Sequence, residues 1–218
     1  IITENPILEI FFGKDTLFMY AEKFVSNQKE KRKTLSAYNK VKFYNKELSG
    51  KCDSLNYRFS DSLIEMFHNP IIWVEKFQIT ADSIQFLAYN NEVREMYLAS
   101  KPIIINKQDS IDFNQIKGKK MVGQFKANKL YKMDVSGNGQ SIFLVKDDSE
   151  KKIGINNTYC TDLTLYFEKN KLENINYQKK PNSKTIPYNE ITEEDQYLRG
   201  FIWREKERPK SKLDILIE

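Results

Sequence analysis

The sequence predicts a repetitive all-β protein. Three observations carry that prediction: a recurring aromatic–turn–aliphatic unit, an aromatic content of 13%, and period-two alternation in the clearest apolar runs. Fourteen Phe and twelve Tyr stand beside only eight Gly and six Pro, and large side chains of this kind favour pleated strands. A hydrophobic fraction of 40% suits a thin sheet assembly better than a thick aliphatic α/β core. The same aromatic content argues against low-complexity disorder. With 218 residues the chain can bury a sizeable core, as one large domain or two small ones.

The unit is an apolar run closed by an aromatic residue, a turn built on Asn or Asp, and a returning apolar run. It first reads Leu55-Asn56-Tyr57-Arg58-Phe59, a turn at Asp61, then Leu63 to Phe67. The next has Ile84-Gln85-Phe86, a turn at Asn90-Asn91, then Val93 to Leu98. A third runs through Phe125, turns at Asn128 and returns over Leu130 to Val135. The fourth is Leu163 to Phe167, a turn at Asn170, then Leu172 to Tyr177. Steps from 61 to 91, 91 to 128 and 128 to 170 are 30, 37 and 42 residues, so strand pairs recur with the excess in loops. Asn and Asp suit such turns because they tolerate left-handed backbone and hydrogen-bond locally. A weaker unit precedes these, over Leu17 to Glu22 and Leu35 to Tyr44.

Leu55, Tyr57 and Phe59 alternate with polar residues, and Leu163, Leu165 and Phe167 alternate likewise, which marks strands rather than helices. Val93 and Met96 have opposite parity, consistent with a bulge or two apolar faces. Pro70, Pro102 and Pro181 follow returning strands, where a proline ends a ladder or lies on an edge. Gly137-Asn138-Gly139 reads as another turn, leading into Ser141 to Val145.

The tail differs. Thr192 can cap a short helix, Glu193 and Glu194 complement its positive end, and Gly200 can stop it. Phe201-Ile202-Trp203 and the charged stretch Arg204 to Lys212 follow. Residues 1–187 are therefore expected to form the β domain. Residues 188–218 are expected to form a helix and an extended arm, packed on the end of the sheet stack, where open edges need covering.

Catalytic signals are nearly absent. His68 is the only histidine, which removes most nucleophile–histidine triads and every multi-histidine metal site. Cys52 has no neighbour that suggests activation, and Cys52 and Cys160 give no disulfide framework. Two free, half-buried thiols are expected, although an exported chain permits a bridge. Asp53, Asp82 and Asp162 occupy similar places in their units. Glycoside hydrolysis needs two acids converging on one cleft, whereas acids repeated in each unit form a ladder that serves turn geometry. No cofactor, metal site or enzymatic activity is expected.

The net charge of +5 comes from 35 basic and 30 acidic residues in a mixed pattern, which does not give the clustered footprint of a nucleic-acid binder. The run Lys29-Glu30-Lys31-Arg32-Lys33 reads as a solvated loop, with lipid phosphates as the alternative partner. No segment approaches the roughly 18 apolar residues of a membrane span. The sequence opens at Ile1-Ile2-Thr3 without a signal peptide, so a processed or truncated soluble chain is expected.

Several segments, in order, resemble the OstA-like family. They are Gly50 to Leu55, Gln78 to Ile84, Asn114 to Phe125, Leu130 to Gln140, Gly200 to Trp203 and Arg208 to Lys212. The resemblance covers about residues 15 to 213 and includes no catalytic motif. OstA-like proteins are related to the lipopolysaccharide-transport protein LptA and to the periplasmic domain of LptD. The resemblance implies a β-jellyroll, two antiparallel sheets in a V-shaped stack around an apolar interior. It further implies a periplasmic location in Gram-negative bacteria and a non-catalytic role in outer-membrane biogenesis. The implied partners are lipopolysaccharide, whose acyl chains ride in the groove, and other transport components joined edge to edge, with a homo-oligomer also possible. The uneven units and the C-terminal arm depart from the short LptA pattern.

The in-facing members of the clearest strands are the lipid-groove candidates: Leu55, Tyr57, Phe59, Ile84, Phe86, Phe125, Met133, Val135, Leu163, Leu165 and Phe167. The alternative is a structural β-stack module that assembles edge to edge and holds no lipid.

Overall fold

The computed structural model describes residues 1–2, 6–12, 15–29, 32–89, 92–168 and 171–216. These described residues form seventeen strands, all paired antiparallel, which line up as two facing walls. The first wall runs through β3 (Lys23–Asn27), the first half of β4 (Thr34–Tyr44), the second half of β5 (Leu48–Arg58), β6 (Leu63–Phe67), β9 (Ser83–Tyr89) and β10 (Glu92–Ala99). It continues through β13 (Lys120–Lys126), the first half of β14 (Lys129–Lys146), the second half of β15 (Lys152–Glu168) and β16 (Lys171–Gln178). The second wall starts with β1 (Ile7–Phe12), β2 (Asp15–Tyr20), the other halves of β4 and β5, β7 (Ile71–Val74) and β8 (Phe77–Thr80). It ends with β11 (Ile103–Lys107), β12 (Phe113–Lys117), the other halves of β14 and β15, and β17 (Asn182–Pro187). This is the all-β two-sheet stack that the sequence predicts.

The walls meet along a corner that the chain crosses repeatedly. In β4 and β5, Tyr38 pairs with Ser54 and Val41 with Cys52, so Asn39 and Lys40 face Asp53 alone. In β14 and β15, Ser136 pairs with Asp162 and Gly139 with Cys160, so Gly137 and Asn138 face Thr161 alone. These are two-against-one bulges, which bend the strand that carries the extra residue. Both extra residues are left-handed, with φ of 62° and 50° at Asn39 and Lys40 and 75° and 54° at Gly137 and Asn138. The same left-handed pair recurs between separate strands, at His68-Asn69, Ser100-Lys101 and Lys179-Lys180. Pro70, Pro102 and Pro181 come next, and β7, β11 and β17 each begin one residue later, as expected for a residue that cannot donate to a ladder. Gly137-Asn138-Gly139 is thus a corner inside one long strand, β14, rather than a turn between two strands.

The expected turns at Asp61 and Asn128 occupy the free rim of the first wall. Ala127-Asn128 takes φ of 49° and 58°, the primed geometry that matches strand twist. Asn128 also accepts the Val93 N–H at 2.8 Å through its side chain. Asn90-Asn91 and Asn170 lie outside the described residues. The parity clash between Val93 and Met96 is a bulge, because the register with β9 shifts between Val93 and Glu95.

The tail does not close an end of the stack. A four-residue helix, α1 (Glu193–Gln196), is capped reciprocally by Thr192 and Asp195 and stops at Tyr197, ahead of Gly200. The chain then runs along the outer face of the second wall, from its last strands back to its first. Asp195 O lies 3.4 Å from Asn157 Nδ2 of β15, Glu207 accepts from Lys51 of β5 at 2.6 Å, and Lys212 reaches Glu9 of β1 at 2.7 Å. Two glutamines, 1% and 0% exposed, grip the arm's backbone between these points. Gln115 donates to Gln196 O at 2.7 Å and accepts the Leu198 N–H at 2.8 Å. Gln78 donates to Ile202 O at 2.7 Å and accepts the Arg204 N–H at 2.8 Å. Each amide thereby makes two bonds to the arm's backbone, as a neighbouring strand would.

Leu198, Phe201 and Trp203 of the arm pack on Ile103, Ile105, Phe113, Ile142 and Ile155 as a second apolar cluster. Phe113 meets the rings of Phe201 and Trp203, each at 5.2 Å. Lys152 latches the arm's start by pairing with Asp109 and Asp112, and Asp112 also accepts from Tyr188. Lys152 holds the Asp109 carboxyl well below the usual carboxylate range, helped by the N–H groups of Ile111 and Asp112.

Two predictions follow from this packing. A methyl group on Gly50 would lie 2.2 Å from the Phe43 ring and 2.7 Å from Ile71 O. Gly50→Ala is therefore expected to cost about 1–3 kcal/mol, read as a lower urea midpoint. Arg204, then Lys51, pulls the Glu207 carboxyl down from 4.5 to about 2. Its folded value is depressed, so its contribution is complete above about pH 4.5 and fades as pH falls toward 2. Acid titration of Trp203 emission is expected to show the arm loosening in that window, and Glu207→Gln to abolish the step; superimposable curves would refute the coupling.

Candidate functional site

Strand register aligns the inward side chains of the first wall into rows that run the length of the stack. The row nearest the corner passes from Phe24 through Ala37, Leu55, Met66, Ile84, Leu98, Met121, Val135 and Leu163 to Tyr177. The next row passes from Leu35 through Tyr57, Ile64, Phe86, Met96, Gly123, Met133 and Leu165 to Ile175. Farther from the corner, Phe125 pairs with Leu130 and Phe167 with Leu172.

These rows belong to one apolar cluster shared with the second wall, which contributes Met19, Phe43, Ile72, Ile79, Ile104 and Ile116. All five methionines of the sequence are in it, none more than 4% exposed. The walls cross at a skew, since Phe77 of β8 meets Phe167 of β15 edge-on at 6.3 Å, several strands apart.

Burial grades from corner to mouth. Of the candidates, Leu55, Ile84, Met133, Val135, Leu163 and Leu165 are fully buried in this cluster, and Phe86, Phe125 and Phe167 pack half-buried against it. Tyr57 shares the second row and is half-buried, its ring 4.3 Å from Phe59. Phe59 does not line the interior: it lies past the end of β5, in the rim turn, and is 44% exposed. Alternation continued one step too far there, because the strand stops at Arg58. Sequence reasoning missed Gly123, Met96 and the second-wall lining; the cross-strand pairing that reveals them is long-range.

The first wall's outer face carries polar rows. Ser36 donates to Asn56 at 2.9 Å, Gln85 to Glu65 at 3.3 Å, and Thr164 to Asp134 at 2.8 Å. The repeated acids stand along the corner, each beside a basic partner on the neighbouring left-handed pair. Asp53 lies 3.7 Å from His68, Asp82 3.7 Å from Lys101, and Asp162 2.6 Å from Lys179. Glu22 with Lys40, at 3.2 Å, extends the ladder to the first strands. The three aspartates are spaced along the stack and do not converge on one cleft. Among the described residues no group of His, Cys, Asp and Glu is placed to hold a metal ion, and no helix is long and apolar enough to cross a membrane.

Cys52 and Cys160 are free and buried, more deeply than expected, at 4% and 9% exposure. Burial pushes the Cys52 thiol up to about 12 and raises that of Cys160, whose Sγ lies 3.6 Å from Gly139 O.

The fold and its lining define a class: a two-walled antiparallel β stack with one shared apolar interior and an outer strap. No protein-family model matches the chain, and no curated protein does. Among solved structures it is similar to the crystal structure of LptH, the LptA-homologous periplasmic component of the conserved lipopolysaccharide transport device from Pseudomonas aeruginosa. The TM-score is 0.47 at 7% identity, over 64% of this chain and 93% of that one, and the likeness is one of fold.

Only the thiolate attacks thiol reagents. Both cysteines are therefore expected to resist Ellman's reagent at pH 8 in the folded protein and to react at once in guanidinium. Rapid labelling of the native chain would contradict their burial.

Proposed function

We propose that this chain is a non-catalytic periplasmic protein of Gram-negative bacteria that binds the acyl chains of lipopolysaccharide between its two walls, in the service of outer-membrane assembly. One observation carries the reading: the apolar rows are continuous along the stack and are flanked, on the side away from the corner, by half-buried Phe86, Phe125 and Phe167. Each methylene withdrawn from water contributes roughly 0.8 kcal/mol, so exposing a twelve-carbon chain costs on the order of 10 kcal/mol. A continuous apolar path offsets that cost at every step along the stack, and no covalent step is needed. The points of contact on this reading are the half-buried residues farthest from the corner; the deeper candidates Leu55, Ile84, Met133, Val135, Leu163 and Leu165 form the floor.

A second reading, a β-stack module that joins other copies or transport components edge to edge without lipid, rests on a different observation. The rows next to the corner are filled by their own side chains, Ile84, Met133 and Leu165 being 0% exposed. Among the described residues β16 and β17 each pair only with β15, which leaves two strand edges at one end. Edges of this kind are templates for further strands.

Photocrosslinking in cells separates the two. A benzophenone side chain at Phe86, Phe125 or Phe167 is expected to capture lipopolysaccharide, while one at Glu65 or Gln85 on the outer face captures none. Lipid captured only from the outer face, or concentration-dependent filaments from lipid-free protein, would favour the edge-joining module.

A further inference from the structure

The lining of the second wall changes character toward the end of the stack. Its corner row is apolar from Phe43 past Gly50 to Ile72, Ile79, Ile104 and Ile116, and then continues as Ser141, Thr158 and Ser183. Asn156 and Thr185 pair in the adjacent row. The facing first wall stays apolar over the same strands, with Leu163, Leu165 and Ile175, and its Tyr177 hydroxyl meets Ser141 Oγ at 2.8 Å.

These hydroxyls and the amide are held in one array. Asn156 Nδ2 donates to Ser183 Oγ at 2.8 Å and to Thr185 Oγ1 at 3.1 Å, and Thr158 Oγ1 donates to Asn156 Oδ1 at 2.8 Å. Thr158 is 2% exposed, whereas Ser183 and Thr185 are exposed. Half-buried Asn156 thus fixes the exposed pair; Ser183 also meets Thr158 Oγ1 at 3.0 Å and Asn156 Oδ1 at 3.1 Å, while Thr185 Oγ1 only accepts from Asn156 and keeps its own proton for a further partner. No charged side chain takes part in these bonds, so the array suits neutral hydroxyl groups better than a phosphate, which draws Arg or Lys.

We infer that the strands β14, β15 and β17 hold the polyhydroxylated, sugar-like end of an amphiphile against the second wall, its acyl portion extending along the apolar rows. This rests on the groove reading above and adds to it a direction and a headgroup class.

The test compares two amphiphiles with the same twelve-carbon tail, below their micelle concentrations: dodecyl maltoside, rich in hydroxyls, and dodecyl octaethylene glycol ether, which has only one. Each is titrated against the intact chain and against the Ser183→Ala/Thr185→Ala double variant, by calorimetry. The expected result is a loss of about tenfold in maltoside affinity, as for two lost hydrogen bonds, with glycol-ether affinity unchanged. Unchanged affinity for both would mean that the hydroxyls only solvate an edge; that overturns the headgroup site and leaves the groove standing. An equal loss for both would likewise overturn it. Failure of both amphiphiles to bind the unaltered chain would overturn the groove reading itself, and this inference with it; failure of the maltoside alone would overturn the headgroup site.

Discussion

The corner is the constraint on which the rest of the molecule depends. An antiparallel pair can fold sharply across its strands only if one strand supplies more backbone than its partner. Here two residues oppose one, and both take left-handed backbone, which for an L-residue other than Gly costs roughly 1–2 kcal/mol. The cost is offset locally. The Asp82 N–H donates to Ser100 O at 2.9 Å and the Thr161 N–H to Lys179 O at 3.2 Å, while the acid–base pairs bridge the same positions from outside. Asn, with its short polar side chain, fills Asn39, Asn69 and Asn138, as its tolerance of this region would favour.

The bulge also governs which side chains point inward. On β4 the inward residues Ala37 and Val41 are four apart, while their partners on β5, Leu55 and Cys52, are three apart. Val135 and Gly139 against Leu163 and Cys160 repeat the relation on β14 and β15. One strand of each pair therefore keeps its period-two phase across the corner, and the other loses it at Asp53 or Thr161. Alternation was readable within the first wall for this reason, and it placed Leu55 with Tyr57 and Leu163 with Leu165 on one face. It could not be carried into the second wall, where the phase had slipped.

A second reason hid the second wall. Ile71-Ile72-Trp73 and Ile103-Ile104-Ile105 are apolar at every position, because the wall is buried on both sides. Ile72 and Ile104 face the interior, while Ile103 and Ile105 lie under the arm. A strand covered on both faces has no alternation to read. The cover itself left little trace in the sequence, since what aligns it is a pair of glutamines, Gln78 and Gln115, thirty-seven positions apart (115 − 78) on strands joined only through β11. Composition showed that the tail differs from the body. It could not show where the tail goes.

The arm makes the two walls mechanically unequal. The second wall is fixed on its outer face by both glutamine grips, the Lys51–Glu207 bond and an apolar cluster. The first wall turns a polar, solvated face outward and is tied to its partner by the corner and the shared interior. Were a chain to enter between the walls as proposed, the adjustment would fall on the first wall, by rotation about the corner or by rearrangement of its lining. Its inward rows carry Met66, Met96, Met121 and Met133, and the methyl ends of Met96 and Met133 close over Gly123. Unbranched thioethers change rotamer at low cost and fill irregular gaps, so the wall that is free to move is also the one lined by the most adaptable side chains. On the proposed reading, a wall held from both faces opposite one held only from within would let a side-chain-filled interior take in chains of differing length without surrendering its register.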